Sequence, residues 1–253
     1  METDTSNFLS FIPDFPRQKR EDGDYYDLNG LLICGKCDTP RECRVELTGD
    51  RIFPCLCKCR REEQEKELRQ TQARENRLAR ERIRELCFPC ASMRKWSFAE
   101  SNGKFPRLAR GKGFVDSWEK LRRDGFSLIV TGQAGSGKTY FAAAIANALV
   151  DRGVRVRLLR SSDAVNRMLS RPGERQDFLA ELQEQELLIL DDVASHLPDA
   201  AQEVLGQLLK NRQEEGSPVI VTTRMTEGEI SSKARKSSSR LFEALGAMTF
   251  FAL

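Results

Sequence analysis

Apolar and polar positions follow two different patterns along the chain, and the second half shows the clearer one. After residue 125, short apolar runs alternate with longer segments of helical periodicity. The apolar runs predict strands at Phe126–Val130, Val154–Leu159, Leu187–Leu190, Val219–Thr222 and Met248–Leu253. The segments between them predict helices at Tyr140–Val150, Asp163–Leu169, Phe178–Glu184 and Ala200–Gln213. Such alternation predicts an α/β fold with a parallel sheet, in which ligands bind at the carboxyl ends of the strands.

The first part of the chain is more polar. Residues 1–30 combine many charges with no periodicity, which predicts a flexible arm. From Arg60 to Leu86, Glu, Gln, Arg and Lys dominate and Gly and Pro are absent, which predicts a charged helix. Its few apolar residues leave two explanations, a solvated connector or a narrow contact stripe for a partner. The predicted domains are an arm at 1–30, a cysteine-rich module at 31–59, a charged helix and linker at 60–90, and an α/β domain at 91–253.

Composition narrows the class of protein. Hydrophobic residues make up 40% and charged residues 31% of the chain, as in soluble globular proteins. The formal net charge of +3 is too small to indicate nucleic-acid binding by itself. Apolar runs are all much shorter than the roughly 20 residues of a membrane helix. The first residues also lack the pattern of a secretory signal, so we expect a cytoplasmic protein that does not enter a membrane.

The eight cysteines are clustered, which favours metal binding in a reducing compartment. Zinc takes four ligands in a tetrahedron, commonly as two close pairs. Cys34 and Cys37 form the first pair, and we assign Cys57 and Cys59, directly before the charged helix, as the second. Cys55 remains the alternative to either of the latter two. The intervening length of about 20 residues predicts a zinc ribbon. The remaining cysteines are predicted to be free of metal: Cys43, Cys87 and Cys90.

A glycine-rich segment with a Lys-Thr ending follows the first predicted strand and opens a helix. It consists of Gly132, Gln133, Ala134, Gly135, Ser136, Gly137, Lys138 and Thr139. Glycines let the backbone wrap a phosphate with its N–H groups inward, and the helix N-terminus adds partial positive charge. Lys138 should reach the β- and γ-phosphates of ATP, and the Thr139 hydroxyl should bind Mg²⁺. The segment predicts a phosphate-binding loop.

Two carboxylates follow the wholly apolar run Leu187–Leu190, which places acid at the same edge of the sheet as the phosphate loop. We predict that Asp191 binds Mg²⁺ through water. Asp192 is the candidate to orient or deprotonate the water that attacks the γ-phosphate.

Two arginines later in the chain are further candidates. Arg224 follows the strand Val219–Thr222, where a polar residue can contact the γ-phosphate or the attacking water. Arg240 precedes an apolar helical turn. Across a subunit boundary it could stabilise charge on the transferring phosphoryl group, and the alternative is a surface salt bridge.

In the linker, Trp96 and Phe98 could stack on a base, but we expect them to pack against the core.

Taken together, these motifs resemble those of the DnaC-like helicase loaders of the AAA+ superfamily, especially those of phages and prophages. The resemblance runs from about Leu31 to Leu253 and includes the phosphate loop with Tyr140 after it. Its other parts are Cys34–Cys37, Pro54–Cys59, Met93–Phe98, Ile145–Leu149, Leu187–Val193, Val221–Thr223 and Ser239–Leu241.

The resemblance implies an AAA+ core of five parallel strands, ATP-driven self-association and delivery of a ring-shaped, DnaB-like replicative helicase onto single-stranded DNA. It also implies that the N-terminal module grips the helicase and that Arg240 serves as the arginine finger. Arg224 departs from the family, which usually has Asn at this sensor position, and this departure bears on the rate of hydrolysis.

Three functions are therefore compared below. The leading hypothesis is an ATPase that uses ATP, Mg²⁺ and Zn²⁺ and loads a helicase during replication. The alternatives are an IstB-like helper of transposition and an adaptor that binds ATP, hydrolyses it little and acts as a DNA- or protein-binding switch.

Overall fold

The parallel sheet expected from the alternation of apolar runs is present and has five strands. The structure is a computed structural model that describes residues 16–45, 51–99, 108–236 and 239–253. The chain divides into two compact units, residues 1–76 and 77–253. Within the described residues, no helix is both long and apolar enough to cross a membrane.

The sheet lies in the second unit, and its strand order is β6-β7-β8-β5-β9 with every neighbouring pair parallel. The strands are β5 Leu128–Thr131, β6 Val156–Arg160, β7 Leu187–Val193, β8 Val219–Thr223 and β9 Thr249–Ala252. β5 and β8 are buried along their whole length, as strands covered on both faces require. The α/β architecture predicted from sequence is confirmed.

Helices cover both faces of the sheet. Successive strand residues such as Leu128 and Ile129 belong to different apolar clusters, because their side chains point to opposite faces of the sheet. One cluster is completed by helices from residues 109–151 and the other by helices from residues 161–246. The helices are α1 Lys58–Cys87, α2 Ala109–Asp116, α3 Trp118–Arg123, α4 Lys138–Asp151, α5 Ser161–Met168, α6 Pro172–Gln183, α7 Asp199–Glu214, α8 Glu227–Lys236 and α9 Arg240–Gly246.

The first unit consists of two short antiparallel hairpins followed by the start of α1. The strands are β1 Tyr25–Tyr26, β2 Leu32–Ile33, β3 Glu42–Arg44 and β4 Ile52–Pro54. Among the described residues of this unit, the buried apolar side chains are few: Leu32, Ile33, Cys34 and Cys57. The unit therefore has little hydrophobic core to stabilise it.

Buried charges take part of the place of that core. Asp24 and Arg41 form an ion pair with both side chains almost fully buried. Buried Glu42 pairs with Arg17 at 2.7 Å and accepts a hydrogen bond from the backbone N–H of Leu32 at 3.1 Å. Residues 16–30, assigned from sequence to a flexible arm, instead contribute β1 and these ionic contacts. Residues 1–15 lie outside the described residues.

Gly206 sets how closely α7 approaches the first residues of α9. A Cβ atom at position 206 would lie 2.4 Å from the backbone nitrogen of Leu241 and 2.7 Å from the carbonyl carbon of Arg240. Backbone atoms cannot swing aside as the end of a flexible side chain can. Glycine at this position is therefore a packing requirement.

We expect Gly206→Ala to lower the free energy of unfolding of the second unit by about 1–3 kcal/mol, the usual cost of overpacking. Alanine normally stabilises a helix relative to glycine by about 0.5–1 kcal/mol, so the steric conflict reverses the sign. Gly228→Ala is the control, because an added Cβ there has no heavy atom within 4 Å. Denaturant unfolding followed by tryptophan fluorescence measures both variants, and equal stabilities would contradict the close approach.

Candidate nucleotide site and cysteine cluster

The phosphate loop connects β5 to α4 at the carboxyl edge of the sheet. Gly135 and Gly137 adopt φ angles of 77° and 93°, which L-residues with a Cβ rarely adopt. α4 begins directly afterwards at Lys138. The loop therefore turns its backbone into the N-terminus of a helix of 14 residues, where N–H groups are free to bind an anion.

Lys138 is largely buried and folds back onto the loop. Its Nζ donates hydrogen bonds to the carbonyl oxygens of Gly132 and Gln133, both at 2.7 Å. Burial, and next the nearby Arg224, lower the pKa of the Lys138 ammonium below its usual value. A phosphate group beside Lys138 and Arg224 would counter both effects, because negative charge favours the protonated lysine.

The Asp191 carboxylate is the point where three elements meet. Asp191 is buried, and it accepts hydrogen bonds from Thr139 Oγ1 at 2.9 Å to Oδ1 and 3.1 Å to Oδ2. Thr222 Oγ1 donates to Asp191 Oδ1 at 2.6 Å. Residues of α4, β7 and β8 thus converge on one carboxylate. Thr139 and Asp191, which the sequence assigned to magnesium, lie side by side with oxygen ligands of the type that Mg²⁺ prefers.

Asp192 differs from its neighbour in backbone and in exposure. Its φ of 55° lies in the left-handed region, and its side chain is 57% exposed. Asp192 Oδ1 is 3.6 Å from Arg224 Nε. One of the two adjacent carboxylates is therefore enclosed by hydroxyls, whereas the other faces solvent and a cation.

These residues line a cavity of about 610 Å³, a size typical of ligand pockets. Its walls include the phosphate loop, both aspartates, Thr222, Arg160 and Arg224, together with an apolar end formed by Met93, Trp96 and Tyr140. The cavity thus combines a cationic and acidic end with an aromatic end.

α4 holds the aromatic end in place. Asn147 Nδ2 donates to the carbonyl oxygens of Met93 at 2.8 Å and Trp96 at 2.9 Å. The ring of Trp96 stacks on Tyr140 with 5.3 Å between centroids. Trp96 and Phe98 both pack against an apolar cluster of the core, which confirms the packing expected for these two aromatics.

Arg240 is the first residue of α9 and is half exposed. Its Nη1 lies 2.8 Å from Glu203 Oε1 and donates to Gln207 Oε1 at 2.6 Å, and both partners are on α7. Among the described residues, those lining the nucleotide cavity do not include Arg240. Within one chain, Arg240 therefore makes the surface ion pair that was the alternative to a finger.

A cluster of four thiols lies in the first unit. The Sγ atoms of Cys34, Cys37, Cys57 and Cys59 are all within 4.8 Å of one another. Cys59 Sγ is 3.7 Å from that of Cys34 and 3.4 Å from that of Cys57. In a tetrahedral site with Zn–S bonds of about 2.3 Å, sulfur atoms lie about 3.8 Å apart. The donor set and its dimensions fit zinc.

Thr39 links the two cysteine pairs. Its Oγ1 is 3.0 Å from Cys37 Sγ and accepts a hydrogen bond from the backbone N–H of Lys58 at 2.8 Å. This contact lowers the pKa of Cys37 to about 6, whereas hydrogen bonding with Cys57 raises the pKa of Cys59 to about 12. A divalent cation that binds crowded thiols deprotonates them.

Cys55, the alternative ligand, is not part of this cluster. Its Sγ approaches the carbonyl oxygen of Pro40 at 3.4 Å, and burial raises the pKa of its thiol. Cys87, the last residue of α1, is fully buried, and burial raises the pKa of its thiol to about 12.

Reasoning from the sequence missed Thr222 as a site residue, as it missed Arg160 in the cavity wall. The signals for Thr222 were a hydroxyl at the end of an otherwise apolar run, Val219–Val221, and its place in the segment Val221–Thr223 of the resemblance, but threonine is common in strands for its shape alone. The contacts of Thr222 became visible only when β8 was placed next to β7.

Comparison with known proteins gives the chain a family. The model of the family described as IstB-like ATP binding protein matches residues 64–238. This span contains the phosphate loop, Asp191, Asp192 and Arg224, and it leaves the cysteine cluster outside.

A relative from Sinorhizobium fredii (strain NBRC 101917 / NGR234), named as an insertion sequence ATP-binding protein, is 35% identical over 117 residues. The similarity covers 45% of this chain and 38% of that protein, so well under half of the relative is matched.

Solved structures share the fold. DnaI superimposes with a TM-score of 0.54 at 20% identity, covering 66% of this chain and 94% of that chain. The DnaC helicase loader gives 0.52 at 23% identity, covering 58% and 88% respectively. The replication initiator DnaA bound to AMPPCP and single-stranded DNA gives 0.52 at 22% identity, covering 63% and 50%.

The family match covers more than half of the chain, and it agrees with the phosphate loop, the acidic pair and the five-stranded parallel sheet. The resemblance seen in the sequence motifs is thereby confirmed at the level of family and fold. The chain belongs to the family of IstB-like ATP-binding proteins and has the AAA+ P-loop fold.

Proposed function

We propose that this protein hydrolyses ATP and uses the cycle to load a ring-shaped replicative helicase onto single-stranded DNA. The observation that carries the ATPase part is the convergence of Thr139, Asp191 and Thr222 beside Lys138 in one cavity. Such an arrangement of oxygen ligands and a lysine at a helix N-terminus is suited to binding a nucleoside triphosphate with its metal ion.

The residues of the cavity divide the work of hydrolysis. Lys138 and the loop N–H groups bind the phosphates, and Thr139 and Asp191 would hold Mg²⁺. When bound, the ion neutralises charge on the phosphate oxygens. Asp192, exposed next to the cavity, orients the attacking water and accepts its proton. Arg224 lies near Asp192 and beside Lys138, where it contacts the γ-phosphate.

We assign completion of the site to a second copy of the chain. The charge that develops on the transferring phosphoryl group needs a further cation, and an arginine finger supplies it in related P-loop enzymes. Arg240 is half exposed and lies outside its own cavity, which suits a residue that acts on a neighbour. On assembly it would exchange Glu203 and Gln207 for the neighbouring nucleotide.

The loader role rests on the part of the chain that the family match leaves out. The cysteine cluster precedes residue 64, where the match begins, so this chain carries a module in addition to the ATPase core. This module, with its cysteine cluster and the exposed, charged start of α1, offers a surface suited to binding a protein partner. The core shares its fold with the DnaC helicase loader and with DnaI.

A second candidate is a helper of transposition, and two observations favour it. The family match is to IstB-like ATP-binding proteins, the group that this alternative resembles. The relative that shares 35% identity over 117 residues is named for an insertion sequence. In this role the same ATPase would assemble on DNA and present it to a transposase. The partner of the first unit separates the two functions, because a loader binds a helicase and a transposition helper does not need one.

The two functions can be separated with purified proteins. We expect the chain with ATP to increase the rate at which its host's hexameric replicative helicase displaces an oligonucleotide annealed to a circular single strand coated with single-strand-binding protein. A variant lacking residues 1–76 should hydrolyse ATP but fail to stimulate unwinding. No stimulation by the full chain, together with ATP-dependent stimulation of strand transfer by a transposase from a neighbouring gene, would favour the transposition helper.

For the nucleotide site, we expect Lys138→Ala to weaken binding of a fluorescent ATP analogue by roughly 10- to 100-fold, the usual cost of losing hydrogen bonds to a charged group. Hydrolysis should fall below detection. Lys210→Ala, an exposed lysine on α7, is the control and should bind as the parent does. Unchanged binding by Lys138→Ala would contradict the assignment of the phosphate site.

For the finger, we expect Arg240→Ala to bind ATP almost normally and to lose about 10³-fold or more in hydrolysis rate. Mixing Arg240→Ala with Lys138→Ala should restore part of the activity, since one chain supplies the pocket and the other the arginine. Glu203→Ala is the matched control, because it removes the partner of Arg240 within the chain but keeps the arginine. If Arg240→Ala and Glu203→Ala lose the same share of activity, and mixing Arg240→Ala with Lys138→Ala restores none, Arg240 acts only through its ion pair within the chain.

For the cysteine cluster, we expect one zinc ion per chain by elemental analysis of protein purified under reducing conditions. Cys34→Ser and Cys59→Ser should lose it, whereas Cys43→Ser and Cys55→Ser should retain it. Chelation should unfold the first unit, which has little core of its own, and leave the second unit folded. Loss of zinc in Cys55→Ser with retention in Cys59→Ser would reassign the fourth ligand.

A further inference from the structure

The hydroxyl of Thr222 lies between the two aspartates of the nucleotide site. Thr222 is buried, with 1% of its surface exposed, in the central strand β8. Its Oγ1 donates to Asp191 Oδ1 at 2.6 Å and accepts from the backbone N–H of Asp192 at 2.8 Å. A hydroxyl has one hydrogen to donate, so the contact with Asp191 fixes which way this one points. One side chain thus binds the carboxylate of the first aspartate and the backbone of the second.

The backbone of Asp192 is turned away from regular strand geometry at this point. The pairing of β7 with β8 shifts register between Leu190 and Val193, and the φ of Asp192 is 55°. The carbonyl oxygen of Asp192 accepts a hydrogen bond from Ser161 Oγ at 2.9 Å. Side chains from β8 and α5 therefore bind both backbone polar groups of Asp192, its N–H and its carbonyl oxygen. This arrangement directs the carboxylate out of the sheet and toward solvent.

We infer that Thr222 is a positioning residue that gives the adjacent aspartates their different roles. Its hydroxyl keeps Asp191 aimed at Thr139 and holds the turned backbone that exposes Asp192. Without it, Asp191 keeps its contacts with Thr139 but loses the second hydroxyl that restricts its rotation, and the N–H of Asp192 loses its acceptor. This inference rests on the proposed ATP hydrolysis, because it assigns the group that orients the acids of that reaction.

Thr223 provides a matched comparison within the same strand. It is fully buried, and its Oγ1 also makes two hydrogen bonds, donating to the carbonyl oxygen of Val193 at 2.7 Å and accepting from the N–H of Met225 at 3.2 Å. The two threonines face opposite sides of the sheet. Removing either hydroxyl leaves one donor and one acceptor without that partner, but only Thr222 contacts Asp191.

The test compares Thr222→Val, Thr222→Ser and Thr223→Val in the full chain. Valine keeps the shape of threonine and removes the hydroxyl, whereas serine keeps the hydroxyl. For Thr222→Val we expect the Mg²⁺ concentration needed for half-maximal hydrolysis to rise about 10- to 100-fold, as when a group supporting a metal ligand is lost. We also expect a lower kcat and, at saturating Mg²⁺, a KM for ATP close to that of the parent. Thr222→Ser and Thr223→Val should keep the parent's Mg²⁺ requirement.

Three results would overturn the inference: Thr222→Val with the parent's Mg²⁺ requirement and kcat, Thr223→Val with an equal shift, or Thr222→Ser as impaired as Thr222→Val. Denaturant midpoints identify any variant that is merely unstable. If Thr222→Val is unstable, the Mg²⁺ requirement of Thr222→Ser decides whether the hydroxyl has the proposed role. If the parent binds a fluorescent ATP analogue but hydrolyses no ATP, the proposed hydrolysis fails by itself. The Mg²⁺ dependence of analogue binding then tests Thr222 in the same three variants.

Discussion

The nucleotide site depends on how the buried carboxylate of Asp191 is compensated. Removing an ionised carboxylate from water costs several kcal/mol unless hydrogen-bond donors replace the water. Here Thr139 comes from the helix after the phosphate loop and Thr222 from the neighbouring strand. The strand order β7-β8-β5 brings these elements together, since β8 lies between the acidic strand and the strand that leads into the loop. A different order would leave the carboxylate buried without these partners.

The same helix also shapes the far end of the cavity. α4 begins at Lys138, at the end of the loop. Nine residues later, the side chain of Asn147 donates two hydrogen bonds to the segment that contains Met93 and Trp96. Tyr140, between these positions, stacks on Trp96. One helix therefore contributes both to the phosphate site and to the aromatic wall of the cavity.

The first unit is stabilised in a different way from the second. Its described residues bury few apolar side chains, and its interior instead contains the Asp24–Arg41 ion pair and the paired carboxylate of Glu42. Buried ion pairs specify an arrangement but contribute little net stability, because desolvation offsets their attraction. A small unit of this kind usually needs a metal or disulfides. The cluster of four thiols supplies the donor set for a metal, and a metal bound there would give the unit a source of stability that its core lacks.

The sequence by itself determined the alternation of strands and helices, the phosphate loop and the first cysteine pair, because each depends on short-range order. Strand and helix periodicity, a loop such as Gly132–Thr139 and a pair such as Cys34 and Cys37 are legible within a few residues. Only the tertiary structure decided which strands are neighbours, and with that the two contacts of Thr222. It also decided the intrachain ion pair of Arg240 and the grouping of both Cys57 and Cys59, without Cys55, with the first cysteine pair. Those outcomes depend on distances between residues far apart in the chain, and one-dimensional patterns carry no such distances.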